Sequence, residues 1–165
     1  MFVAASLLSA HCFASDFSSH LHLVNPAQGV PHLVFEDATG GQHRLSDYRG
    51  SYILLNIWAT WCGPCKKEMP SLERLQKIFD PQKLRVLALS EDRSADAVVG
   101  FYKTDAITHL LIAVDHAGIA PSTLHLRGLP TSLLIDPQGK EIARIEGEAD
   151  WSSPEVTDYL RATMR

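Results

Sequence analysis

Two cysteines, Cys62 and Cys65, stand two residues apart with Gly63 and Pro64 between them. Thiols at that spacing can close into a small disulfide ring and reopen, so the first chemistry the chain offers is redox. An apolar run over residues 52–57 reads as a buried strand, and a helical pattern begins at about Pro64. Cys62 then sits just outside a first helical turn, where unpaired backbone N–H groups and the positive dipole end favour a thiolate. Cys-X-X-Cys pairs at helix N-termini bring a thiol from about 8.5 into the range of roughly 3.5–7.5. Pro64 suits the first helical position, where its missing N–H has no partner to lose. Cys65, further in, is expected to be more buried and to act second.

Other uses of paired cysteines need partners that the chain lacks. A structural zinc site takes four nitrogen or sulfur ligands, commonly from a second CxxC or a paired-histidine motif. The third cysteine is Cys12, and the eight histidines are scattered without that spacing. No metal and no cofactor are expected. A purely structural disulfide is the plainer alternative, but so short a loop constrains the unfolded chain only modestly. The net charge of −4 comes without a basic cluster, which argues against nucleic acid as a partner.

Trp61-Cys62-Gly63-Pro64-Cys65 resembles the active-site motif of thioredoxins. The strings around it, Asn56-Ile57-Trp58-Ala59-Thr60 and Lys66-Lys67-Glu68-Met69-Pro70, are more similar to the TlpA/ResA branch of extracytoplasmic thiol–disulfide oxidoreductases. A second hallmark is Leu126-Arg127-Gly128-Leu129-Pro130-Thr131, because thioredoxin-like proteins face their cysteines with a cis proline at the position of Pro130. The likeness runs from about Leu33 to the C-terminus. It implies an α/β thioredoxin fold: a central mixed sheet flanked by helices, with an N-terminal β-hairpin and a central insertion. It also implies that the Leu129 backbone points at Cys62, where an incoming peptide pairs as an added strand. Leu129 would help tune which disulfides are accepted, and Trp61 would offer partners an exposed apolar face.

The helix expected over residues 64–79 can be tested by its period. At about 100° per residue, Glu68, Met69, Leu72, Leu75 and Phe79 share one face. Lys66, Lys67, Glu73, Arg74 and Lys77 point the other way, with Glu73 and Lys77 spaced for an ion pair on the wet side. A carboxyl inside the apolar stripe is desolvated, which raises its pKa and lets it exchange protons near neutrality. The blander reading lets Glu68 cap or fray outward near the helix start. Thioredoxins place a buried aspartate six residues before the first cysteine, but this chain has Asn56 there, which cannot titrate. In TlpA/ResA-like proteins a glutamate three residues after the second cysteine takes the acid–base role, and the resemblance puts Glu68 in it.

The remaining chain supplies the frame. Residues 1–14 resemble a secretory signal or an anchor remnant, with cleavage after Ala14, although no Lys or Arg precedes the apolar core. Residues 15–31 read as a linker and 32–165 as the thioredoxin-like domain. Segments 33–36 and 42–45 flank a hairpin loop. Strands are expected at 84–90, 109–115, 132–136 and 140–147, with helices at 96–103, at 119–126 and from Pro154. Parallel pairing with a right-handed crossover follows from the β-α-β order. Asp136-Pro137-Gln138-Gly139 fits a type I turn. His109, His116 and His125 share no helical face and read as solvated surface.

The function expected is that of an extracytoplasmic thiol–disulfide oxidoreductase, a reductant of protein disulfides in the periplasm or a similar compartment. Cys62 would attack a partner's disulfide and Cys65 would release the reduced partner. The resemblance implies a membrane-embedded thiol transporter as electron donor, and targets such as apocytochrome c or other envelope proteins. A monomer is expected, with room for a membrane tether at the N-terminus. Two alternatives come from other classes. A copper-handling relative would use the thiolates as soft ligands, and a thioredoxin-fold peroxidase would need a threonine three residues before its cysteine, whereas Thr60 lies two before Cys62.

Overall fold

The computed structural model describes residues 17–165, so the expected leader and Cys12 lie outside the described residues. In chain order the elements are α1 (Phe17–His20), β1 (Leu21–Gly29), β2 (Val34–Glu36), β3 (Gln42–Arg44) and a 3-10 turn over Leu45–Tyr48. Then come β4 (Tyr52–Trp58), α2 (Gly63–Ile78), β5 (Leu84–Ser90), α3 (Ala95–Thr104) and β6 (Ala113–Val114). The chain closes with α4 (Ala120–Thr123), β7 (Thr131–Ile135), β8 (Lys140–Glu146) and α5 (Pro154–Thr163). The eight strands of the described residues form one sheet, in the order β1-β8-β7-β4-β5-β6-β2-β3.

β4 lies at the centre because both of its faces are apolar, the mark of a strand covered on two sides. It pairs in parallel with β5, from Tyr52 opposite Leu84 to Trp58 opposite Ser90. On its other side it runs antiparallel to β7, which sets Asn56 opposite Ser132. The sheet is therefore mixed. Alternation along β4 feeds two cores. Leu54 and Trp58 join Met69, Leu72 and Leu75 of α2 and Trp151. Ile53, Leu55 and Ile57 join Leu33, Phe35 and Leu124 on the opposite face. This is the thioredoxin fold with its added hairpin, β2 and β3.

Four stretches differ from the sequence reading, each for a local reason. The segment read as a linker contains β1, which pairs antiparallel with β8 at one margin of the sheet. It escaped detection because an edge strand can be wet on both faces: Leu23 is 70% exposed and Pro26 interrupts the run. The strand expected over 109–115 shrinks to Ala113–Val114. The backbone N–H of His109 donates to Glu73 Oε2 at 2.9 Å, which takes it away from any ladder. The helix at 119–126 is the single turn α4, followed by His125 in a left-handed conformation. Glu73, expected on the wet face of α2, is buried instead, because Thr108 and His109 fold over it. Its spacing to Lys77 still yields the ion pair, at 3.2 Å.

Candidate active site

The strand-to-helix step from β4 to α2 sets the cysteines. Cys62 is the residue that caps α2, and its sulfur accepts the Cys65 N–H at 3.3 Å. Pro64 occupies the first turn without wasting a donor. The two sulfurs are bonded, at 2.05 Å, with the α-carbons 5.3 Å apart. Cys65 is wholly buried and Cys62 retains slight exposure, so Cys62 is the outer sulfur of the pair. A Cβ on Gly63 would meet nothing within 4 Å, so the space beside this residue is open.

The loop before Cys62 is tied down by a residue that the sequence did not single out. Asp92, just past β5, accepts the Thr60 N–H at 2.8 Å, the Thr60 hydroxyl at 2.7 Å and the Ser90 hydroxyl at 2.6 Å. This fixes the loop from which Trp61 projects, its ring 68% exposed. The Thr60 hydroxyl is thereby directed at a carboxylate rather than at Cys62. No periodicity could have revealed Asp92, since its link to Thr60 joins the ends of two neighbouring parallel strands.

Glu68 lies one turn beyond Cys65 on the same face of α2 and is only 3% exposed. Three neutral donors hold it. Asn56 Nδ2 reaches Oε1 at 2.7 Å, and Trp151 Nε1 and the Ala149 N–H reach Oε2 at 2.9 and 3.2 Å. Burial pushes the Glu68 carboxyl up to about 7, against the pull of those donors, and the nearby Glu148 charge adds to the rise. Asn56 also donates to Ser132 Oγ at 2.9 Å, while its own Oδ1 is buried and has no partner among the described residues. Trp151 packs in the core against α2, and its indole N–H also orients the buried acid.

Leu129 and Pro130 reach the site from the entry to β7, joined by a cis peptide bond. Leu129 packs on the core cluster that contains Cys62 and Cys65. Pro130 O accepts the Gly147 N–H at 2.9 Å, which anchors the turn. Trp61 and Leu129 line one cleft of about 740 Å³, together with Glu91, Arg93 and Arg127. Cys62, Cys65, Glu68, Trp61, Leu129 and Pro130 thus converge on one end of the sheet. The three histidines do not. His109 binds Glu73, His116 sits 3.5 Å from Glu36, and His125 lies in the turn after α4.

The AhpC/TSA family pattern matches residues 26–144. The chain belongs to that family. Within it, the chain is 35% identical over 132 residues to a thiol-disulfide oxidoreductase ResA of Bacillus thuringiensis subsp. konkukian, covering 80% of this chain and 75% of that relative. It is 32% identical over 137 residues to the ResA of Bacillus subtilis, covering 83% and 75%. Its fold is similar to that of a thiol:disulfide interchange protein DsbE from Chlorobium tepidum, with a TM-score of 0.75, 27% identity, and 84% and 97% of the two chains covered. A thioredoxin domain from Bacteroides vulgatus shares the fold at a TM-score of 0.71 and 20% identity, over 84% and 96% of the chains. The AhpC/TSA member described here is a thiol–disulfide oxidoreductase acting on protein thiols.

Proposed function

We propose that this enzyme is an extracytoplasmic reductant of protein disulfides, in which Cys62 is the attacking thiol, Cys65 the resolving thiol and Glu68 the proton acceptor. In the reduced protein the Cys62 sulfur, at the mouth of α2 and facing the Cys65 N–H, is favoured as a thiolate. It attacks one sulfur of the partner's disulfide, and the partner's other sulfur leaves as a thiolate that takes a proton from water. Cys65 then gives its proton to the Glu68 carboxylate and attacks the Cys62 sulfur. The mixed disulfide breaks, the partner leaves with both sulfurs reduced, and the Cys62–Cys65 bond forms. Two electrons have passed from enzyme to partner.

The observation that carries this reading is the buried Glu68 carboxyl, poised near neutrality one turn behind the Cys62–Cys65 disulfide. An acid of that pKa can take and return a proton at physiological pH. The cleft between Trp61 and Leu129 supports a polypeptide partner, laid along the Leu129 backbone as an added strand. An extracytoplasmic setting is supported by the apolar stretch ending at Ala14, and the TlpA/ResA likeness supports a membrane thiol transporter as electron donor. Maturation of cytochrome c, or redox upkeep of envelope proteins, would be the use of such a reductant.

The test is a pair of measurements. Cys65→Ser is expected to trap the partner as a mixed disulfide on Cys62, and Cys62→Ser to abolish exchange. The reduction potential of the pair is expected near that of thioredoxin, about −270 mV, whereas a value near about −120 mV would make the protein an oxidant and overturn the proposed direction.

A further inference from the structure

Beside the disulfide, the cleft between the Trp61 ring and Leu129 holds an acid that plays no part in the cysteine cycle. Glu91 follows directly on β5, with its backbone N–H bonded to Trp58 O at 2.9 Å. Its Oε1 is buried and has no hydrogen-bond partner among the described residues. Leaving a buried acceptor unmatched is unfavourable, so a donor brought into the cleft gains a bond that the free protein does not make. Two of the neighbouring charged groups are otherwise engaged. Asp92 is occupied by Thr60 and Ser90, and Arg127 Nη1 stands 3.6 Å from Glu146. Arg93 extends into solvent.

The field at Glu91 itself is negative, set by Asp92 and Asp115, while Arg93 and Arg127 line the same cleft. Burial, followed by the charges of Asp115 and Asp92, pushes the Glu91 carboxyl up to about 7. A surrounding that disfavours one more negative charge favours an incoming positive one. The shape agrees with this. A long alkyl stem can lie on the exposed Trp61 ring while its charged head reaches inward, and the ring face itself attracts a cation.

We propose that Glu91 forms a subsite for a Lys or Arg side chain of the partner polypeptide, close in sequence to the disulfide that Cys62 attacks. The inference rests on the reading above, in which the partner lies along Leu129, and it adds a preference for basic flanking sequence. An acidic side chain in the same place would meet Glu91, Asp92 and Asp115.

The test uses synthetic peptides with one internal disulfide, identical except for Lys, Ala or Glu beside a cysteine. The rate constant for their reduction is measured with the reduced wild-type protein and with Glu91→Gln. The Lys peptide is expected to react about five- to tenfold faster than the Ala peptide, with the Glu peptide slowest. The advantage should shrink as salt is raised, and Glu91→Gln should bring the Lys-to-Ala ratio close to one. Equal rates for the Lys and Ala peptides with wild-type protein would overturn the subsite, whatever the variant does. So would a preference that survives in Glu91→Gln. If the wild type reduces none of the peptides, the reductant reading itself falls and takes the subsite with it.

Discussion

Glu68 and Glu73 lie on the same helix, α2, and are nearly equally buried, at 3% and 4% exposure. Their protons are nevertheless held very differently. Burial pushes Glu68 up to about 7. Burial would also raise Glu73, but its hydrogen bonds outweigh that and bring it down to about 2. The difference lies in the partners. Glu68 meets an amide, an indole and a backbone N–H, all neutral. Glu73 receives the His109 backbone N–H at 2.9 Å, the His109 ring at 2.7 Å and the Lys77 ammonium at 3.2 Å. Desolvation alone therefore does not make a buried acid useful for proton transfer. What matters is whether enough donors, led here by the His109 backbone N–H and joined by its ring and Lys77, have already stabilised the ionised form.

The two acids also bend stability with pH in opposite senses. For Glu68, whose ordinary value is 4.5, both folded and unfolded chains hold the proton below that pH. Between 4.5 and about 7 the unfolded chain releases it first, so its contribution to stability is lost as pH rises, by on the order of 3 kcal/mol. Glu73 contributes fully above 4.5 and loses its contribution as pH falls towards about 2.

The largest effect expected is on Glu68→Gln. Resolution of the mixed disulfide at neutral pH should slow on the order of 10²-fold, and the inflection near pH 7 in its rate should vanish, as read by stopped-flow across pH 5–9. The oxidised variant should also lose the decline in urea stability between pH 5 and 8. The amide can fit because a rotated Asn56 would offer its unpartnered Oδ1 to the new donor. An unchanged pH profile would remove Glu68 from the mechanism. Next comes Glu73→Gln, expected to cost about 2 kcal/mol at neutral pH and to flatten the acid limb of the unfolding curve, while the pH profile of exchange stays in place. A shift in that profile would mean that the two acids are not independent.

Smaller effects sharpen the contrast. Trp151→Phe keeps an aromatic ring but removes the indole donor, so the Glu68 titration should move up by roughly one pH unit, followed by the carboxyl carbon signal in NMR. Movement downward would show that the indole does not stabilise the ionised form. Lys77→Ala removes a half-exposed cation and should cost less than about 1 kcal/mol. A larger loss in thermal unfolding would make Lys77, rather than His109, the main holder of Glu73.

Much of the site could be read from the chain because its chemistry is local. Cys62, Cys65 and Glu68 lie within two turns, and the helical period alone placed Glu68 among Met69 and Leu72. What stayed hidden depends on residues far apart in sequence. Trp151 reaches Glu68 across 83 residues, Asp92 reaches Thr60 across 32, and His109 reaches Glu73 across 36. Glu73 was misplaced for the same reason, since helical period describes one element and not the loop that later covers it. β1 was hidden for a different reason. An edge strand with Pro26 in its middle and no buried residue leaves no alternation to detect.

That same strand has a consequence for the company the enzyme keeps. Pro26 offers no N–H, and the pairing of β1 with β8 lapses between Leu23 and Gln28, so the row of backbone groups at this margin is broken. Clients that carry an unwanted disulfide are incompletely folded, and loose chains readily zip onto any regular strand left uncovered. An interrupted border discourages such adhesion on that flank, away from the Cys62–Cys65 pair.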